Sequence, residues 1–227
     1  PPDLRRRGRP GHHPGTYVIS NPGTTVGLIQ LPPEQRGGVT ITGHVLGVEP
    51  GGALVVAEGA TPASYGVSDA TGAYTLFNVH DGAVNIVGYR RGLELKPHSV
   101  SVASVPLVDI DLEVVAEGVD SLATVSGSVQ LVNPGDGEAT SVVLVPLSVF
   151  NGNLLRGPVP FGLRSPDPGR EPDIKGEWAI RGVPAGTYKV LAAFENDFLV
   201  RDPDLSIGGT SLQELTVTAG QNTSPPE

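Results

Sequence analysis

Cysteine and methionine are both absent from the 227 residues. Without cysteine the chain has no disulfide framework, no thiolate metal site, no thiol nucleophile and no c-type haem attachment. No run comes near the roughly 18 apolar residues that a membrane span needs. Charged residues are scarce, at 17% against a usual figure of about 25%. No signal peptide is visible, because Pro1-Pro2-Asp3-Leu4 is not a basic start followed by an apolar stretch. The missing initiator Met points to a processed or excised N-terminus. No segment carries a convincing amphipathic helix either.

What the chain does have is glycine and proline. The 31 glycines and 22 prolines fall just short of the roughly 25–30% at which disorder becomes the default reading. With 38% hydrophobic residues, the chain is expected to fold as one large or two small domains. The net charge of −9 is unevenly spread. Arg5, Arg6, Arg7, Arg9 and Arg36 outweigh Asp3 and Glu34 to leave the first 36 residues at +3, so the remainder stands at −12. An acidic body argues against nucleic acid as a partner. The arginine cluster has no interleaved aromatics, and the body of an identical neighbour is a closer target for it.

The strand signal is period-two alternation. Residues 107–115 read LVDIDLEVV, which puts Val108, Ile110, Leu112 and Val114 on one face and Asp109, Asp111 and Glu113 on the other. Tyr188, Val190, Ala192 and Phe194 alternate likewise. Turn residues recur every 8–12 positions, the pattern of an antiparallel sandwich, so the chain is expected to be all-β.

An internal repeat organises the body. Residues 68–89 and 172–193 align at a constant offset of 104, matching Gly72 with Gly176, Tyr74 with Trp178, Leu76 with Ile180, Val79 with Val183, Gly82 with Gly186 and Ile86 with Val190. Upstream, Gly43 matches Gly127 at an offset of 84. The second copy thus carries about 20 extra residues, NGNLLRGPVPFGLRSPDPGREPD, expected as a long loop after a strand at 141–147. Asp69 and Asp173, each with a glycine three residues on, are expected in hairpin turns. Tyr74 and Trp178 are expected to fill sandwich cores.

This pattern resembles the carboxypeptidase regulatory-like domain. Its run is carried best by the second copy: Val125, Gly127 and Val129, then Asp173, Gly176, Trp178, Ile180, Val183, Gly186, Tyr188 and Val190. The first copy departs at Val84, where the family prefers an aromatic, and at His80-Asp81, where proline is common. The resemblance spans about residues 38–118 and 122–220. It implies two tandem seven-stranded sandwiches of transthyretin-like, Greek-key topology, non-catalytic and extracytoplasmic, of the kind found in bacterial surface proteins and beside secreted peptidases. The expected divisions are an N-terminal arm at 1–37, sandwiches at 38–118 and 119–220, a loop at 151–172 and a tail at 221–227.

The arm has no core of its own. Its residues 16–31, TYVISNPGTTVGLIQL, hold two short apolar runs around the turn signal Asn21-Pro22-Gly23. Three readings stand: a hairpin, the last strands of a preceding repeat, or strands donated to the sheet edge of a neighbouring chain. In the third reading Tyr17, Val18, Ile19, Val26, Leu28, Ile29 and Leu31 make the contact and Arg5, Arg6, Arg7 and Arg9 add attraction.

Candidate chemistry is thin. Of His12, His13, His44, His80 and His98, the first two point apart on an extended chain, and His44 and His80 have no counterparts across the repeat, so a zinc site is not expected. Gly66-Val67-Ser68-Asp69-Ala70 breaks the G-x-S-x-G pattern of a hydrolase at its last position. Asp109/Asp111 and Asp202/Asp204 suit calcium in principle, yet no calcium motif supports it, and Asn133-Pro134-Gly135-Asp136-Gly137 reads as a hairpin turn. No cofactor is expected. Trp178 as a sugar platform yields to its match with Tyr74. The leading expectation is a non-enzymatic extracellular structural protein, polymerising with identical subunits at a bacterial cell surface, in contact there with surface polymers such as polysaccharide. The alternative is an accessory carbohydrate- or protein-binding module of a larger secreted peptidase or adhesin, binding through 151–172. A periplasmic small-molecule carrier ranks third, because small packed sandwiches leave little room for a cavity.

Overall fold

The computed structural model describes residues 37–129, 139–165, 176–195, 206–208 and 210–224. The chain divides into two compact units, Pro1–Glu34 and Gln35–Glu227. The first lies outside the described residues, and with it Arg5, Arg6, Arg7, Arg9, His12, His13, Tyr17, Val18, Ile19, Val26, Leu28, Ile29 and Leu31. Asn133 to Gly137, Asp173, Asp202, Asp204 and residues 166–172 lie outside them too.

The described part of the second unit is all-β, its paired strands antiparallel, with no α-helix. Its strands are β1 (Val39–His44), β2 (Leu54–Glu58), β3 (Ser64–Val67), β4 (Ala73–Val79), β5 (Gly82–Arg90), β6 (Leu93–Leu95), β7 (His98–Val102) and β8 (Val114–Glu117), then β9 (Ala123–Val129), β10 (Ala139–Pro146), β11 (Arg156–Pro158), β12 (Arg164–Ser165), β13 (Gly176–Val183), β14 (Gly186–Glu195), β15 (Ser206–Gly208) and β16 (Thr210–Val217). In the first half β1 pairs with β4, and a six-stranded sheet runs β3-β2-β5-β6-β8 with β7 also on β5. In the second half β9 pairs with β13, a four-stranded sheet runs β12-β10-β14-β16, and β11 pairs with β15.

Alternation explains the cores. Ile41 of β1 and Tyr74, Leu76 and Val79 of β4 bury against Val55, Ala57, Val84 and Ile86 of the six-stranded sheet. Trp178 and Ile180 of β13 bury against Val142, Leu144, Tyr188 and Val190 of the four-stranded sheet. At the turns before β4 and β13, Gly72 (φ 89) and Gly176 (φ 96) adopt the left-handed backbone that a side chain resists. Tyr74 and Trp178 are 3% and 5% exposed.

The unbroken apolar run at 53–57 has a separate cause. Val55 and Ala57 face the first core, while Leu54 and Val56 belong to the second, together with Tyr89 of β5. A strand buried on both faces has no polar side to show. β10 repeats the device: Val142 and Leu144 serve the second core, whereas Val143 and Val145 join Leu191, Phe150 and Val159 in a third.

Two local expectations are corrected. The segment 107–115 is not one alternating strand: Val108 is 65% exposed and Asp109 sits at φ 57, a conformation that Asp tolerates better than most residues. Residues 107–112 run parallel along β1, with Leu107 opposite Ile41 and Leu112 opposite Val45. Beyond Glu113 the chain crosses to the other sheet as β8, on β6. The expected loop at 151–172 is, in its described part, folded structure. Leu163 is fully buried in the second core, Leu144 N donates to its carbonyl at 3.1 Å, and β12 pairs with β10.

Candidate functional site

The polar side chains singled out in the sequence mostly hold backbone. Ser68 Oγ donates to the Pro50 carbonyl at 2.6 Å and accepts from Ala53 N at 2.9 Å, which ties down a turn and leaves it a poor nucleophile. Asp69 Oδ1 accepts from Thr71 N, Thr71 Oγ1 and Ala73 N at 2.7–3.0 Å. Those bonds, the Thr71 hydroxyl first, hold its carboxyl below the usual range. Asp111 Oδ1 accepts from His44 N at 2.8 Å, and its carbonyl oxygen lies 3.1 Å from His98 Nδ1. Asp109, its expected calcium partner, is exposed at the positive-φ turn. Among the described residues no three His, Asp or Glu side chains converge as a metal-binding group.

A denser constellation joins the two halves. The Tyr89 ring meets Tyr188 edge-on, with centroids 5.7 Å apart and planes at 74°. Tyr89 Oη and Ser148 Oγ each donate to Glu58 Oε1 at 2.7 Å. Backbone bonds cross the same junction: Gly92 N to the Gly182 carbonyl at 2.7 Å and Arg91 N to the Phe161 carbonyl at 3.0 Å. The Arg90 guanidinium lies 5.8 Å from the centre of the Phe161 ring, within cation–π reach. Nothing in the repeat pattern announces this joint, since Glu58, Ser148 and Phe161 have no matched partners in it.

Glu94 completes the joint, its Oε2 accepting from Ala185 N at 2.8 Å. Burial raises its pKa, and the Ala185 amide offsets this only in part. The folded carboxyl thus holds its proton more tightly than the unfolded one. Its contribution to stability is lost as pH rises from the ordinary glutamate range through the raised value. Glu94→Gln keeps an acceptor for Ala185 and removes this titration. Its Tm relative to the parent chain is expected to climb between pH 4 and pH 7. Parallel Tm–pH curves for the two chains contradict this.

The repeat also brings two sheet edges into direct comparison. Along β1, Leu107 N donates to Thr40 O, Thr42 N to Leu107 O and Ile110 N to Thr42 O, each at 3.0 Å. The Tyr74 hydroxyl donates to the Ile110 carbonyl. A Cβ at Gly43 would overlap that same carbonyl. Along β9, Thr223 takes the place of Leu107: it lies opposite Val125, donates to Thr124 O at 2.9 Å and accepts from Ser126 N at 3.2 Å. There the correspondence stops. Among the described residues nothing continues along the β9 edge past Thr223, and the nearest contact of a Cβ at Gly127 would be the Trp178 ring, at 3.0 Å. Trp178 Nε1, the counterpart of the Tyr74 hydroxyl, is buried and has no hydrogen-bond partner among the described residues. The sequence signal for this difference is the Tyr/Trp mismatch at the offset of 104. Beside the edge, Asp120, Thr124, Arg181 and Asn222 line a polar hollow.

No family model matches the chain, and no curated protein matches it in sequence. Among solved structures it is similar to the Bacillus anthracis TIE protein, at 13% identity over 83% of this chain and 33% of that one, with a TM-score of 0.31. It is similar to a leucine-rich repeat protein from Bacteroides thetaiotaomicron, at 15% identity over 84% of this chain and 26% of that one, with a TM-score of 0.29. It is also similar to GBS52, the minor pilin in the gram-positive pathogen Streptococcus agalactiae, at 12% identity over 82% and 93% of the two chains, with a TM-score of 0.29. The chain thus spans 33% and 26% of the length of the first two. Likenesses with TM-scores this low carry no argument about what the chain does.

Proposed function

We propose that the chain is a non-enzymatic extracellular structural protein that assembles head to tail into a bacterial surface filament or fibre, its N-terminal arm adding strands to the next subunit. In this reading the body is a tandem of carboxypeptidase regulatory-like, transthyretin-like sandwiches of seven strands each. The observation that carries it is the joint. Leu54, Val56 and Tyr89 of the first half are buried within the core of the second, so the tandem behaves as one stiff piece. A filament subunit needs such stiffness, because a hinge within it lets the polymer bend and break register. A contact between unlike surfaces propagates as an open polymer whenever its rotation does not close. Among the described residues no helix is long and apolar enough to cross a membrane. The opposite net charges of the body, −12, and of the arm, +3, support attraction between copies.

Negative-stain electron microscopy of the intact chain beside one lacking residues 1–37 tests the reading. Filaments or large oligomers are expected with the arm and monomers without it. Monomers in both samples overturn the proposal.

One observation favours the accessory-module alternative. Leu154, Leu155 and Phe161 are 63%, 44% and 67% exposed beside β11. Asn151 Oδ1 holds the turn there by accepting from Asn153 N and Leu154 N at 3.0 and 3.1 Å. A ligand captured by the parent chain and lost in Leu154→Asp on carbohydrate and peptide arrays supports that alternative.

A further inference from the structure

We infer that the edge of β9 beyond Thr223, unpaired among the described residues, is the acceptor for the arm, taking residues 24–31 of a second copy as a parallel strand whose backbone carbonyl caps Trp178 Nε1. The inference deepens the assembly reading and rests on it.

The first half shows what a filled edge looks like. There the strand at 107–112 closes β1, hydrogen-bonds its backbone and gives the Ile110 carbonyl to Tyr74. Three features mark the second edge as built for the same occupant. Gly127 stands at the position matched to Gly43, and Trp178 Nε1 lies 3.3 Å from where its Cβ would be, beside the place that the Ile110 carbonyl takes at Gly43. Trp178, 5% exposed, presents a buried donor where Tyr74 presents its hydroxyl. A buried N–H left unpaired costs about 1–3 kcal/mol, which an arriving carbonyl recovers. Finally, Ser128 lies two residues beyond Ser126, whose N–H already bonds outward to Thr223. By alternation the Ser128 backbone groups point outward too, with nothing across from them among the described residues.

The chain's own continuation is chemically unsuited to the place. Ile110 lies three residues after Leu107 and donates its N–H to Thr42. Three residues after Thr223 stands Pro226, preceded by Pro225, and proline has no N–H to give. The arm has the required chemistry. Residues 24–31, TTVGLIQL, are free of proline and rich in strand-forming residues. The arm's net charge of +3 opposes the −12 of the body that carries β9.

Trp178 is the only tryptophan, and residues 16–31 contain none. The intact, isotope-labelled chain therefore gives one indole N–H resonance by nuclear magnetic resonance. Titration with a synthetic peptide of residues 16–31 is expected to move that resonance downfield, as a hydrogen bond forms at Nε1. Dilution of the chain alone is expected to move it back. Ser128→Pro puts a ring on the outward face and takes nothing from the β9–β13 ladder. Gly127→Ala puts a methyl where the strand carbonyl must sit. Each is expected to weaken peptide binding at least tenfold. A resonance that stays still under millimolar peptide, or that moves equally in both variants, overturns the acceptor. Filaments in the intact chain with an unmoved resonance overturn it while leaving head-to-tail assembly standing. A peptide-induced shift in a chain that stays monomeric supports the acceptor and overturns the polymer.

Discussion

Tyr89→Ala is expected to destabilise the folded chain by about 3–5 kcal/mol, the usual range for removing a large aromatic side chain from a core. Tyr89 is 3% exposed and is counted in the core of the half to which its own strand does not belong. Its removal opens a cavity beside Tyr188 and takes one of two hydroxyl donors from Glu58. Roughly 2–4 °C of Tm per kcal/mol holds for chains of this size, so a fall on the order of 10 °C is predicted. The form of the transition matters as much as its midpoint. If the joint makes the halves one cooperative unit, the parent chain unfolds in a single calorimetric transition and the variant's transition broadens or splits. Tyr89→Phe keeps the ring and loses only the hydroxyl, for an expected cost of about 1 kcal/mol. A Tyr89→Ala chain that melts within about 3 °C of the parent, in one equally sharp transition, contradicts the shared core.

Gly43→Ala is expected to cost about 3 kcal/mol, the upper end of ordinary overpacking, because the new methyl overlaps the Ile110 backbone carbonyl. That carbonyl belongs to a strand held on β1 by successive backbone bonds from Leu107 to Leu112, so it cannot step aside alone. Gly127→Ala, the matched change in the other half, meets first the edge of the Trp178 ring at 3.0 Å, a side chain and not a backbone carbonyl. A ring edge yields by a small rotation, and about 1 kcal/mol is expected. Urea unfolding of the two variants at low protein concentration measures the contrast. Equal costs at the two positions contradict it, because they require a strand carbonyl over Gly127 as well.

The all-β, antiparallel character was legible because alternation survives where one face of a strand is buried. The burial of Tyr74 and Trp178 was legible because aromatics recurred at one offset in otherwise small-residue turns. Alternation reports that a face is covered, however, and not by what. Hence the second role of Leu54 and Val56, which close the core of the other half, could not be read from residues 53–57. The same blindness hid the packed interior of 151–165: its prolines and glycines read as a loop, yet Gly157, Pro158 and Pro160 are buried along with Leu163. Residues 107–115 misled for a different reason. One backbone angle at Asp109 breaks the period, and composition does not encode it. The indole of Trp178, unpaired among the described residues, was out of reach, since its meaning depends on a neighbour that β1 has and that the described residues do not supply to β9.

Sedimentation velocity of the intact chain over a wide concentration range tests the central claim most directly. Head-to-tail addition predicts a sedimentation coefficient that keeps rising with concentration, without settling at one closed oligomer. High salt is expected to shift the series back toward monomer by screening the arm's arginines. A single monomer boundary at every concentration, or a closed dimer that grows no further, contradicts the account.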